Sequence, residues 1–206
     1  MWYAEAGFGI VQVSGMPSQA LIRWQSERSA VLDGLMDALG VVRGAGAAHR
    51  VAIPHLSRGF VVTLSAEFQA FCKDLHRECA AHFASLVPAA IEDVVLQQFL
   101  AQRLLDRGNP NPGNIGADFN RLGLKLFDEA RSIDMRVNGW RGDLEFLNEW
   151  RNAVAHGDYS SPRVANPPQL GPGRLRTWRS ACHHLATVFD RVLGRYLETK
   201  TGVKPW

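Results

Sequence analysis

The stretch EWRNAVAHGDY, residues 149–159, places an arginine and a histidine five positions apart. A histidine titrates near neutral pH and can act as a general acid or base. An arginine keeps its charge and offers forked hydrogen-bond donors to phosphate oxygens. Arg151 and His156 are therefore a pair that could act on a phosphodiester. Asn152, beside the arginine, could orient either the imidazole or the phosphate.

The residues around this pair have the periodicity of an amphipathic helix ending before Gly157, a glycine suited to a left-handed cap. On a wheel of about 100° per residue, one apolar stripe contains Trp140, Leu144, Leu147, Trp150 and Val154. Arg151 falls inside this stripe. Because a charged guanidinium is costly on an apolar face, three interpretations stay open: an internal salt bridge, an arginine at the edge of the stripe whose guanidinium reaches solvent, or a cleft that receives an anion.

An ideal helix sets Arg151 and His156 roughly 140° apart. The two side chains converge only under one of three conditions. The helix unwinds before Gly157, the arginine reaches round, or a second copy of the chain contributes. The spacing alone does not choose among them.

The composition is typical of a soluble globular protein, with 46% apolar and 21% charged residues in a chain of 206. This length suits one domain. No apolar run approaches the roughly 20 residues of a membrane helix, and the first residues lack a signal-peptide pattern. The chain has three cysteines, too few for a disulfide framework. We therefore expect reduced thiols, a cytoplasmic location and no membrane partner.

The positive charge is concentrated in the last quarter of the chain. Residues 151–206 contain nine Lys or Arg and three Asp or Glu, a balance of +6, whereas the whole chain has +3. Such a region suits an anionic partner such as nucleic acid, although a solvated basic helix would have the same composition. Arg174, Arg176 and Arg179 open the last helix and are predicted to contact an RNA backbone.

The hydrophobic pattern predicts an all-α, up-and-down bundle of about five helices. The main helices are expected at about 17–39, 57–86, 88–108, 142–156 and 174–198, with a short one within 115–130. Asn138–Gly139 is expected to form a turn. Strand signals occur only at 8–13 and 51–53. The predicted domain division is an N-terminal arm, residues 1–16, and one helical domain, residues 17–206.

The segment RNAVAH matches the R-x4–6-H motif of the HEPN superfamily, and LNEWRNAVAHG resembles the typical end of the HEPN motif helix. The segment RGFVVTLSAEFQAFCKDLH is similar to the long second helix of the RiboL-PSP branch. The resemblance covers about residues 17–198. It implies a dimeric helical bundle and, in many members, a metal-independent endoribonuclease of a toxin–antitoxin or defence system. It also implies that Arg151 and His156 are catalytic and Asn152 supports them.

The implied reaction needs no cofactor or metal, because RNA carries its own nucleophile, the 2′-OH. A base takes its proton, an acid protonates the leaving 5′-oxygen, and a cation stabilises the phosphorane charge. A two-fold dimer would supply two histidines, one for each proton transfer. The products would be a 2′,3′-cyclic phosphate and a 5′-hydroxyl. A cognate antitoxin or nucleotidyltransferase is a further possible partner.

Three alternatives remain open. The domain could be a non-catalytic HEPN module that binds nucleic acid or acts as a scaffold. Cys72, His76, Cys79 and His82 could be metal ligands, but one rigid helix cannot wrap four ligands around an ion, and core packing is favoured. In one HEPN toxin group, a partner AMPylates a tyrosine two positions after the motif histidine, whereas Tyr159 stands three positions after His156. No role is assigned to Glu67, Glu149 and Asp158.

Overall fold

The computed structural model of the chain describes residues 16–46, 49–161, 163–164 and 170–206. Within these ranges every regular element is helical and no strand occurs, which confirms the all-α class. The α-helices are α1 Gln19–Arg23, α2 Ser29–Gly44, α3 Ala52–Ala84, α4 Ala89–Leu100, α5 Pro112–Asn120, α6 Leu126–Ile133, α7 Val137–His156 and α8 Pro172–Thr201. A π-helical turn, Trp24–Arg28, joins α1 to α2, so the described chain forms seven helical rods, more than predicted.

The central helix is α3, which contacts α1, α2, α4, α5, α7 and α8. Its fully buried side chains recur every three or four residues and include Phe60, Leu64, Phe68, Phe71 and Leu75. The Trp24 ring packs 5.7 Å from Phe68 and 5.8 Å from Phe71. Burying each such side chain contributes about 1.5–3 kcal/mol to the stability of the fold. No helix in the described ranges is both long and apolar enough to cross a membrane.

The prediction of a strand at 51–53 is wrong, because α3 already begins at Ala52. Ala52 and Ile53 belong to the first turn of this helix, where Ile53 packs against the core, and Val51 precedes the helix and is exposed. The other predicted strand, 8–13, lies outside the described residues, as does the arm 1–16 apart from its last residue.

The third predicted helix ends earlier than expected, at Leu100, and a short 3-10 turn, Leu104–Asp106, follows it. The cause lies in α5. The buried carboxylate of Asp118 accepts hydrogen bonds from the backbone N–H groups of Leu104 and Leu105, at 2.8 and 2.9 Å. These bonds hold the backbone out of a continuous helix.

The predicted helix within 115–130 is divided into α5 and α6. The chain turns at Gly123, whose φ of +78° lies in the left-handed region that favours glycine. The hydroxyl of Tyr196 on α8 donates to the Leu122 carbonyl oxygen at 2.7 Å. A Cβ on Gly123 would lie 2.9 Å from that hydroxyl, so space as well as conformation requires glycine here.

Asn138–Gly139 does not form the predicted turn, because α7 begins at Val137 and includes both residues. The Asp134 carboxylate precedes the helix and accepts a bond from the Arg136 backbone N–H at 2.9 Å. In the first turn of a helix the backbone N–H groups lack intrahelical partners. Asparagine and glycine are tolerated there, and the helix extends upstream of the predicted start.

The cysteine and histidine cluster on α3 packs into the core, as predicted. Cys72, His76 and Cys79 are fully buried, and His82 is half-buried. Nε2 of His76 lies 3.1 Å from the Asp118 carbonyl oxygen and donates to it, since a carbonyl only accepts. In the described part of the chain no group of three or more His, Cys, Asp or Glu is placed to hold a metal ion.

Candidate functional site

The motif residues lie at the C-terminal end of α7, which stays helical through His156. Gly157 follows in the left-handed conformation, with φ of 66°, and its N–H donates to the Ala153 carbonyl oxygen. The predicted glycine cap is therefore confirmed, and the helix does not unwind before it. Arg151 and His156 consequently project in directions roughly 140° apart.

The inward face of α7 matches the predicted stripe in its centre. Leu144, Leu147 and Trp150 are buried, while Val154 is only half-buried and Ala153 takes the buried position at that turn. Arg151 is half-buried at the edge of this face, and Asn152 and His156 are exposed. The motif thus lies where the apolar face meets solvent.

Arg151 forms no ion pair with any described carboxylate, so the internal salt bridge is not present in these ranges. Instead its Nη1 donates to the side-chain oxygen of Asn152 at 3.3 Å. No bond joins Asn152 to His156 within the described chain. The Asn152 oxygen accepts from Nδ2 of Asn109, at 3.0 Å.

Asn109 belongs to the loop between the 3-10 turn and α5, a segment whose sequence indicates only a turn. Its side-chain oxygen accepts from Nδ2 of Asn111 at 2.7 Å, and its backbone oxygen accepts from Nδ2 of Asn114 at 2.8 Å. Asn111 caps α5 by accepting from the Asn114 backbone N–H at 2.8 Å. Three asparagines therefore form one connected hydrogen-bond network that reaches the motif at Asn152.

The same loop is bound to α3 and α7 through two further amides. Buried Asn148 on α7 donates to the Pro110 carbonyl oxygen at 3.2 Å, and its own oxygen accepts from Ser65 of α3 at 3.2 Å. Gln69 of α3 donates to the Gly108 carbonyl oxygen at 2.8 Å. The loop is thus fixed on both sides of Asn109.

The chain beyond the motif returns to α3. The guanidinium of Arg58 lies over the Tyr159 ring, 5.3 Å from its centroid, and the same ring packs edge-on against Trp150 at 6.3 Å. In the segment between His156 and Tyr159, the exposed Asp158 carboxylate accepts a hydrogen bond from the Ser160 backbone N–H at 2.9 Å. The bonds from Ser160, followed by the nearby charge of His156, lower the Asp158 pKa.

The two glutamates without an assigned role have structural partners. Glu149 forms an ion pair with Arg163, which also lies over the Phe146 ring at 5.1 Å. Glu67 on α3 pairs with Arg28 of the π-helical turn at 2.7 Å. Glu67 therefore belongs to the contact between that turn and α3.

The three arginines predicted to bind RNA point in two directions. Arg174 lies over the Phe146 ring of α7 at 5.4 Å. Arg176 and Arg179 instead line a groove between α8 and α2, where Arg179 pairs with Asp33. Arg176 has no ion-pair partner in the described ranges. The three side chains do not form one continuous strip, and one of their charges is already neutralised.

Sequence reasoning singled out Arg151, Asn152 and His156 as candidates, but it did not indicate Asn109, which bonds Asn152, or Asn148, which bonds the same loop. The repeated asparagines of GNPNPGN were the available signal, although turns commonly contain this residue for local reasons. Comparisons with family models, curated proteins and solved structures found no match for this chain. The chemistry of the site is that of a cation with no carboxylate partner in the described part of the chain, an oriented amide and an exposed imidazole.

Proposed function

We propose that this protein is a metal-independent endoribonuclease of the HEPN type, acting as a homodimer in a toxin or defence system. The observation that supports this proposal is Arg151. It is half-buried on the core-facing edge of α7, yet no described carboxylate neutralises it. A phosphate would satisfy this charge with two parallel hydrogen bonds.

In the proposed reaction, one histidine removes the 2′-OH proton of RNA, and the resulting oxygen attacks the adjacent phosphorus. The bond from phosphorus to the 5′-oxygen breaks, and a second, protonated histidine donates a proton to that oxygen. Arg151 stabilises the charge on the non-bridging oxygens in the transition state. The products are a 2′,3′-cyclic phosphate and a 5′-hydroxyl.

The regular end of α7 supports a dimer in this proposal. Since the helix does not unwind, one chain presents Arg151 and His156 in divergent directions. Two motif ends related by a two-fold axis bring arginine and histidine to one phosphate, and they supply the two histidines that the proton transfers need. Each chain alone provides one motif histidine.

The test is cleavage of a fluorescently labelled single-stranded RNA in the presence of EDTA, with the ends analysed for cyclic phosphate. We expect cleavage by the wild-type protein and none above background by His156→Ala. His49→Ala is the matched control, because His49 is also exposed but lies between α2 and α3. Cleavage by His156→Ala at the wild-type rate would refute the assigned chemistry. Binding of RNA by the wild-type protein without cleavage would identify the non-catalytic module instead.

A further inference from the structure

We infer that Asn109 is a positioning residue that fixes Asn152 as a hydrogen-bond donor, so that Arg151 and Asn152 together offer only donors to a ligand. The inference rests on the proposed function for the identity of that ligand, an RNA phosphodiester. It assigns a role to a loop residue 43 positions away from its partner in the sequence.

The orientation of each amide follows from a donor that is unambiguous. The Asn114 backbone N–H can only donate, so the side-chain atom of Asn111 that meets it is oxygen. Asn111 must then turn its NH2 group toward Asn109, whose oxygen accepts at 2.7 Å. Asn109 in turn presents its own NH2 group to Asn152 at 3.0 Å.

Arg151 fixes the same orientation from the other end. A guanidinium has no acceptor, so the Asn152 atom 3.3 Å from its Nη1 must also be oxygen. The network of amides and the arginine therefore agree, and the Asn152 oxygen accepts two bonds. The Asn152 NH2 group, which has no acceptor among the described residues, faces outward.

The loop that carries Asn109 is built to hold it still. Its successive carbonyl oxygens at Gly108, Asn109 and Pro110 accept bonds from Gln69, Asn114 and Asn148, which come from three different helices. Gly108 packs so closely that an added Cβ would lie 2.7 Å from Nδ2 of Asn114. Loops are commonly more mobile than helices. In this loop three backbone carbonyl oxygens accept hydrogen bonds from the surrounding helices, and these bonds restrict its movement.

The consequence is that the part of the site formed by Arg151 and Asn152 presents only donors. Arg151 contributes its remaining N–H groups and Asn152 its NH2 group, so a ligand with several acceptor oxygens and no donors fits best, as a phosphodiester does. Asn152 contributes to binding the phosphate and does not accept a bond from His156. The sequence left open whether Asn152 orients the imidazole or the phosphate, and this geometry favours the phosphate.

The test is a double-mutant cycle on ligand binding. The ligand is a single-stranded oligoribonucleotide with 2′-O-methyl groups, which keeps every phosphate but has no nucleophile. Fluorescence anisotropy measures its Kd for the wild-type protein, Asn109→Ala, Asn152→Ala and the double variant. Asn138→Ala is the matched control, an exposed asparagine on α7, and thermal unfolding checks that each variant is folded.

We expect Asn109→Ala to raise Kd about three- to tenfold, the effect of losing one hydrogen bond that holds the donor in place. In the Asn152→Ala background the same change should alter Kd less than about twofold, because Asn109 acts through Asn152. A purely structural role would weaken binding equally in both backgrounds. That result, the absence of any effect of Asn109→Ala, or a wild-type protein that does not bind the oligonucleotide would each overturn the inference.

Unmodified RNA distinguishes this inference from the proposed function. If the binding cycle shows coupling and unmodified RNA is cleaved, both proposals are supported. If the cycle shows coupling but unmodified RNA stays intact, the positioning role of Asn109 holds and the endoribonuclease proposal fails.

Discussion

The guanidinium of Arg58 on α3 lies 5.3 Å above the ring of Tyr159, three positions beyond the motif histidine. This cation–π contact closes the chain segment after α7 onto α3. Tyr159 also meets Trp150, whose side chain is buried. Tyr159 therefore contacts both Trp150 of α7 and Arg58 of α3, and these two contacts fix the chain that follows α7.

Removing the Tyr159 ring should destabilise the fold. Tyr159→Ala loses the cation–π contact and the edge-on packing, each worth about 0.5–1.5 kcal/mol, so we expect a loss of about 1–3 kcal/mol in the free energy of unfolding. Urea denaturation measures it. Tyr159→Phe is the matched control and should stay close to wild type, since it keeps the ring. Equal losses for both variants would assign the effect to the hydroxyl and contradict this account.

The proposed dimer predicts two results, one in the mass of the particle and one in the activity of mixed chains. Light scattering should give twice the mass of one chain, and a monomer at every working concentration would contradict the shared cleft. Wild-type and His156→Ala chains are mixed in equal amounts and allowed to exchange subunits. The mixture should have about one quarter of the activity of pure wild-type protein at the same total protein concentration. The reason is that random pairing makes about one quarter of the dimers fully wild-type, and in the proposed reaction one cleft uses both histidines. Retention of one half would indicate independent sites.

Arg151 should affect the rate, and Arg176 should affect affinity. In the proposed reaction Arg151 stabilises the phosphorane charge, so for Arg151→Ala the single-turnover rate at saturating RNA should fall about 100- to 1,000-fold. Arg176→Ala should instead weaken RNA binding and flatten the salt dependence of binding by a slope of about 0.7, the value for one lost single-strand phosphate contact.

Arg179→Ala is the control for this comparison, because Asp33 already pairs with Arg179. Its effect on the salt dependence should be smaller than that of Arg176→Ala. If Arg151→Ala left the saturated rate intact, the arginine would have no part in the chemical step. If all three variants changed affinity alone, the binding-module alternative would be favoured.

His76 should make the fold sensitive to acid. Burial, and next the charge of Arg103, lower the pKa of His76 from 6.5 to about 4. Its Nε2 donates to the Asp118 carbonyl, and its buried Nδ1 has no partner among the described residues, so protonation would add an unsatisfied donor. The unfolded chain therefore binds this proton at a higher pH than the folded one. The stabilisation is complete above about pH 6.5 and is lost as the pH falls toward 4, by about 3 kcal/mol.

The measurement is the free energy of unfolding between pH 4 and 7 for the wild type and for His76→Gln. Glutamine does not titrate and can still donate to the Asp118 carbonyl. We expect the variant to lose less stability over this pH range than the wild type. Identical pH profiles would show that His76 titrates alike in the folded and unfolded chains.

Gly139 within α7 and Gly157, which caps the end of α7, should respond in opposite directions to substitution by alanine. An added Cβ at Gly139 meets nothing within 4 Å, so Gly139→Ala should stabilise the helix by about 0.5–1 kcal/mol. Gly157 has φ of +66°, so Gly157→Ala should cost about 1–2 kcal/mol. Urea denaturation of both variants checks the pair. Destabilisation by Gly139→Ala would argue against its place inside the helix.

Periodicity was sufficient to predict the motif helix, its buried centre and its glycine cap, because these depend on residues three or four apart. It also made Arg151 stand out as a charge on an apolar face. The start of α7 was predicted too late, since Asn138–Gly139 has the composition of a turn and only the preceding Asp134 and Arg136 contacts show otherwise.

The support of the site could not be predicted in the same way. The bond between Asn109 and Asn152 joins a loop to a helix, and the carboxylate of Asp118 reshapes the backbone at Leu104. Such contacts depend on how the helices pack, and local patterns of residue type do not encode them. The three arginines of α8 show the same limit, because neighbours in sequence there face different helices.

Because all three cysteines are buried, the rate at which their thiols are labelled reports on opening of the core. Cys72, Cys79 and Cys182 are buried in α3 and α8, and burial raises the pKa of each thiol, that of Cys79 to about 12. Thiolates are the form that alkylating reagents attack, so these groups are protected twice, by access and by ionisation. Alkylation must wait for α3 and α8 to separate. The rate of labelling in native buffer therefore measures how often the core opens, with no introduced dye or mutation.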